Sequence, residues 1–347
     1  EMLDQEFHVH FISSSPHASP MELMRAVKES IMRAAETGMI AWDCRDEEEV
    51  FLIPNGLFHT GDNPMQAEIC SQGGLNCNYF CRTCHVGGTK DYKESDSGYC
   101  TLFEVHAFHS TVFEPVPRSL RTPAEMANVI KNQFSIAMLP GAAEKVKTSV
   151  SMTGVWDTLS LNILQKLIEM GKRLHKCGTG STPMQEPDVK MELEVELATL
   201  LDGQTLDDMI NPLLGMTGVN IHLDTPTEIL HTILLGVVKY FWGQTIFLIE
   251  KAKLLKIFHS CLDSIEREVL NAPSLNADYI CNYKGSLIRK HFKSLAQVMP
   301  FVIYDLVPQS VVDGWTIIGE LVVFLWHMQI DNLEVYLVSS INVILLC

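Results

Sequence analysis

At 347 residues and 47% hydrophobic, the chain carries enough apolar material for one elaborated domain or two, which excludes a disordered or fibrous class. Lys and Arg number 26 against 42 Asp and Glu, and the resulting net charge of −16 does not advertise nucleic-acid binding. Ten cysteines, unevenly clustered in so long a chain, are unlike a small secreted disulfide framework and point to thiols in a reducing compartment.

The chain opens at Glu1 without a charged and then apolar leader, so no secretory address is expected and the sequence reads as a piece of something longer. Residues 6–12 alternate polar and apolar with the period of a half-buried strand, placing His8 and His10 on one face. Ser19 and Pro20 then supply an N-cap and a first-turn proline for a helix through Ala35, stopped by Gly38. Two short strands, Met39 to Asp43 and Val50 to Ile53, flank an acidic turn. Strand, helix, strand is the order of an α/β core.

Between Asp62 and Gly88 the chain concentrates Cys70, Cys77, Cys81, Cys84 and His85. Cys81 and Cys84 have the Cys-x-x-Cys spacing at which two thiolates converge on one tetrahedral ion, so a structural zinc is the first reading. Cys70, Cys81 and Cys84 are the favoured ligands, with Cys77, His85 or His106 as the fourth and Cys100 in reserve. The competing reading takes these cysteines as small buried hydrophobes. Cys81 to His85 also matches the haem-attachment pattern, without the export signal that such a site needs, and a redox pair lacks its strand-to-helix setting. Another short strand is expected within Thr101 to Val112.

From Thr122 onward the pattern is helical: Pro123 to Met138, Ala142 to Ser151, Thr158 to Leu174 and Val189 to Leu201, with a Gly-, Ser- and Pro-rich loop at 177–187. The expected organisation is an α/β part over 1–118 and a larger helical part over 119–347. The run Ile229 to Ile249 approaches membrane length, but Lys239 and Gln244 interrupt it, and it reads as a helix buried in a bundle. Thr225, Pro226 and Glu228 spell a capping box at its start, and Glu228 and His231 share one helical face. Lys284, Arg289, Lys290 and Lys293 form the one concentrated basic patch, able to hold phosphates. Val312 to Met328 and Asn332 to Leu346 complete the helices.

Taken together, 62–70 with its acid, proline and Cys70, Phe80-Cys-Arg-Thr-Cys-His-Val-Gly-Gly88, Lys93 to Tyr99, Asp224-Thr-Pro-Thr-Glu-Ile-Leu-His231 and Gly285 to Lys293 resemble the Plavaka-type transposases of fungi, within the broad CACTA-like group. The resemblance covers nearly the whole chain. It implies a partial ribonuclease-H-like core, the Cys-rich zinc knuckle and a large helical insertion, with three acids holding two magnesium ions in the parent enzyme. It places the second acid at Asp62, with Asp43 as rival, and the acid-x-x-His signature on Glu228 and His231. Relatives commonly carry Asp where Glu228 stands, which leaves that role open. The first acid would precede Glu1 and the third would follow Cys347.

The resemblance thus implies a DNA-binding, nuclear or otherwise intracellular protein whose parent cuts and joins DNA, with self-association possible and no membrane partner. Two-metal strand transfer takes carboxylates that clamp both ions, so this chain alone is expected not to cleave. The competing expectation is a non-catalytic, zinc-stabilised module that binds protein or DNA.

Overall fold

The computed structural model describes residues 11, 13–53, 59–103, 119–175, 184–265, 275–327 and 329–336. They divide into two compact units, one of the described residues up to Pro226 and one from Thr227 onward. The fold is mostly helical with a small antiparallel sheet. The strand expected at 6–12, with His8 and His10, lies outside the described residues, as does His106.

In the first unit, α1 (Pro20–Thr37) starts as its sequence dictates. Ser19 Oγ accepts from Glu22 N at 3.3 Å while Glu22 Oε2 accepts from Ser19 N at 2.7 Å, and Gly38, at φ 65°, ends the helix. Strands β1 (Met39–Asp43) and β2 (Glu48–Leu52) follow, joined by a turn in which Asp43 Oδ1 accepts from Arg45 N and Asp46 N. They pair antiparallel with each other, Met39 opposite Leu52. This hairpin is the one sheet among the described residues, and its two strands run antiparallel. Ile40, Trp42 and Phe51 are exposed, and the hairpin packs no core on either face.

The remaining helices of this unit are α2 (Asn63–Ile69), α3 (Lys90–Glu94), α4 (Asp96–Phe103), α5 (Pro123–Ala137), α6 (Ala142–Thr153), α7 (Leu161–His175) and α8 (Glu186–Leu201). Of the stretch 101–112 expected to hold a short strand, residues 101–103 are the last turn of α4 and the rest lies outside the described residues. Glu186 and Pro187, expected in a loop, are the first turn of α8, where Pro sits without losing an intrahelical bond. Met126, Ile130 and Phe134 of α5 pack with Leu164 and Leu167 of α7 and Val189 and Leu193 of α8 in one buried cluster.

A buried polar latch ties the chain before α7 to the end of α2. Asp157, 2% exposed, accepts from Ser160 N at 2.8 Å and from Ser71 Oγ at 3.2 Å, and Asn211 Nδ2 donates to Ser71 Oγ at 2.9 Å and to Ile69 O at 2.6 Å. Burial pushes the Asp157 carboxyl above its usual range, against the pull of the Ser160, Ser71 and Asn211 donors. Its folded form therefore binds the proton more tightly than its unfolded form. The stability it contributes is full below the ordinary carboxyl pKa and declines as pH rises through the raised value. Asp157→Ala strands buried donors and is expected to lower unfolding stability by about 2–4 kcal/mol, read from the urea midpoint.

In the second unit, a π-helical stretch, Leu230–Val238, runs without a break into α9 (Lys239–Lys251), followed by α10 (Leu255–Asp263), α11 (Ala277–Asn282), α12 (Arg289–Val302) and α13 (Gln309–Leu325). The segment expected to be helical from Asn332 is helical over 333–336 and otherwise lies outside the described residues. Leu234, Val238, Trp242, Ile246 and Ile249 form a stripe buried against Phe292, Leu295 and Met299 of α12 and Trp315 and Ile318 of α13. Trp315 Nε1 donates to Thr245 Oγ1 at 2.9 Å, and Gly314 admits the Phe241 ring, whose edge would lie 2.6 Å from an added Cβ. Leu230–Lys251 is long and apolar enough to cross a membrane, yet its buried stripe is the core of this unit. It is not buried all round as its composition suggests: Val237, Tyr240 and Phe247 are exposed.

Candidate metal and nucleic-acid sites

The Cys-rich stretch is short of regular structure and is held by stitches to two other segments. Isolated bridges pair Gln72 with Val155, Tyr79 with Gly87 and Cys84 with Leu120, and Arg121 N donates to Thr83 O. Arg121 is the pin. Its side chain is 1% exposed, with Nε donating to Cys81 O at 2.8 Å and Nη2 to Tyr79 O and Thr153 O at 3.1 Å each. Burial lowers its pKa, opposed by the negative potential of Glu125 and of Cys81, Cys84 and Cys77 around it. It makes no ion pair within 4 Å among the described residues.

Cys81 and Cys84 flank a short bend at Arg82 and Thr83. Burial raises the Cys81 thiol, but Thr83 N, 3.3 Å from Sγ, with Cys84 N and the Cys84 thiol, outweighs burial and holds it below the usual range. Cys70 ends α2, fully buried, and its thiol donates to Ile221 O at 3.4 Å. Burial pushes it up to about 11, against smaller pulls from Thr225, Arg82 and Arg121. Cys77 fills the niche left by Gly73, where an added Cβ would meet its Sγ at 2.7 Å. Burial raises its thiol too, against Lys93 and Arg121. The side chain of Cys100 lies outside the description, although its backbone is in α4.

His85 is turned elsewhere: Nε2 lies 3.1 and 3.2 Å from the two Glu125 carboxylate oxygens, and the ring meets Tyr79 edge-on at 6.0 Å. Among the described residues, no three His, Cys, Asp or Glu side chains are already gathered closely enough to hold a metal ion. One group that sequence spacing missed lies beside the knuckle. His222 is 1% exposed, and its Nδ1 is 2.8 Å from the carbonyl of Arg82, the residue following Cys81. Burial lowers its pKa, with Arg121 and His85 acting the same way and the Arg82 carbonyl and Glu125 opposing. No local signal marks it, because the contact spans 140 positions.

Asp62, the acid assigned by the resemblance, is exposed and caps α2, Oδ1 accepting from Met65 N at 2.9 Å. Its rival Asp43 is committed to the hairpin turn. Glu228 and His231 do meet: His231 Nδ1 lies 2.9 Å from Glu228 Oε2. The capping box expected there is not formed. Helical structure starts later, and the Glu228 carboxylate itself is the cap, accepting from Leu230 N at 2.7 Å and His231 N at 2.5 Å. Burial, the largest single influence, raises Glu228, but the N–H groups and the imidazole together outweigh it, so the carboxyl sits below its usual range.

Three of the four basic residues come together. Arg289, Lys290 and Lys293 line a cleft of about 380 Å³ with Trp326, Glu228, Ile229, Leu230 and Leu234. Arg289 and Lys290 open α12, whose first N–H groups add the positive end of the helix dipole. Lys293 Nζ lies 4.9 Å over the Trp326 ring. Lys284 stands apart from this cleft, ion-paired with Glu250.

No family model, curated protein or solved structure matches the chain.

Proposed function

We propose that the chain is a transposase-derived protein whose helical unit binds the phosphate backbone of DNA. The observation that carries this is the cleft of Arg289, Lys290 and Lys293 at the N-terminus of α12, with an indole on its wall. Clustered cations and exposed helix N–H groups are the donors that a phosphate chain takes, and Trp326 offers a face for a sugar or base. Glu228 at the cleft wall opposes an anion, so binding draws on the cations beyond it.

In the parent activity that the resemblance implies, magnesium-dependent strand cleavage and transfer, Asp62 is the acid within this chain. The Cys-rich stretch, as a zinc-stabilised element, would hold the first unit in shape, and the protein would work in the nucleus. The net charge of −16 favours one other reading, a zinc-stabilised module for a protein partner.

Titration of a fluorescent duplex at low salt separates the two. Saturable binding that weakens with added salt and is lost in Arg289→Glu/Lys290→Glu supports the DNA reading. Absence of binding at low salt, with a folded chain, overturns it in favour of the protein partner.

A further inference from the structure

We propose that His222 completes the knuckle from the far side of the chain, so that Cys70, Cys81, Cys84 and His222 are the four ligands of one structural zinc ion and Arg121 is its buried counter-charge. This rests on the zinc reading of the Cys-rich stretch and adds the fourth ligand.

The His222 ring is set up as a ligand. A carbonyl oxygen only accepts, so the 2.8 Å contact with Arg82 O fixes the ring proton on Nδ1 and leaves a lone pair on Nε2. That nitrogen is buried and has no hydrogen-bond partner. An orphaned buried acceptor is costly, and a metal ion takes a lone pair without supplying a proton. Ligating histidines almost always donate their other ring N–H in this way, commonly to a backbone carbonyl.

Two contacts tie this ring to the thiols. The carbonyl that holds it belongs to the residue between Cys81 and Cys84, and the residue before it, Ile221, accepts the Cys70 thiol. The other candidates are engaged: Cys77 fills its niche against Gly73, and His85 pairs with Glu125. On binding, each of the three thiols releases a proton to solvent and His222 releases none. Three thiolates and a neutral imidazole on a dication leave one net negative charge. The Arg121 guanidinium, buried, without a carboxylate within 4 Å among the described residues and bonded to Cys81 O, offsets it. A zinc ion held by these four ligands would have no open position for water, so it would hold structure and do no hydrolysis.

The full chain, purified without chelator, should carry one zinc per molecule by elemental analysis. With cobalt in its place, it should show thiolate charge-transfer bands and the visible spectrum of a tetrahedral site with three sulfurs and one nitrogen. His222→Ala should weaken zinc binding by more than the roughly 10- to 100-fold that an outer-shell change costs. His222→Cys should keep the metal and shift the cobalt spectrum to that of four sulfurs, which shows a folded site with an exchanged ligand. Cys77→Ser and His85→Ala should change neither stoichiometry nor spectrum. Unchanged binding and spectrum in both His222 variants, with loss on Cys77→Ser or His85→Ala, overturns the assignment and leaves the zinc reading standing. A wild-type chain that binds neither metal overturns both.

Discussion

Arg121→Ala is expected to lower the stability of the first unit by about 3–5 kcal/mol, a large fraction of the roughly 5–15 kcal/mol that holds a domain folded. The side chain serves three backbone carbonyls, Tyr79 and Cys81 of the Cys-rich stretch and Thr153 at the end of α6. Truncation takes the side-chain donor from Cys81 O and Thr153 O at about 1–3 kcal/mol each, offset in part where water enters, while Tyr79 O keeps its bond from Gln72 Nε2. Arg121→Lys keeps the charge but offers a point donor in place of a planar fork, so it should lose about half as much. Urea unfolding followed by circular dichroism measures both. A loss under about 1 kcal/mol in Arg121→Ala would show that the stitches hold without their pin.

Trp315→Ala is expected to cost about 3–5 kcal/mol in the second unit, the usual range for removing a buried aromatic. Trp315 is fully buried, lies 5.4 Å from Phe241 in an edge-on pair, and donates to Thr245 Oγ1. Its removal opens a cavity between α13 and α9 and takes away the donor to the Thr245 hydroxyl, which still donates to Phe241 O. Trp315→Phe retains most of the volume and should cost less, with the lost indole bond as the main term. Near-equal midpoints for Trp315→Ala and the parent would contradict the packing described.

The parts of this fold that were legible in the sequence are those fixed by local bonds. Ser19 with Pro20 and Thr122 with Pro123 start helices where their caps say, because an N-cap bond reaches only three residues. The two strands around an acidic turn are legible, and so is their antiparallel pairing, because the few residues between Asp43 and Glu48 are far too short for a crossover. At 225–231 the expected capping box with Thr225 as N-cap does not form: helical structure starts later, and the Glu228 carboxylate accepts from Leu230 N and His231 N. The basic patch was legible as composition, whereas Lys284 leaves it for Glu250, a partner 34 positions away. His222 and Arg121 were missed for the same reason at longer range. Each is defined by carbonyls of the Cys-rich stretch, and neither shows in any window of sequence around itself.

The central claim is that the α12 cleft carries phosphate, and the salt dependence of duplex binding tests it most directly. Each phosphate neutralised contributes about 0.9 to the slope of log affinity against log salt, so replacing Arg289, Lys290 and Lys293 together by Ala should flatten that slope by roughly 2 to 3. Lys284→Ala, outside the cleft, should leave it unchanged. A triple variant that binds duplex with the parent's affinity and slope would contradict the account.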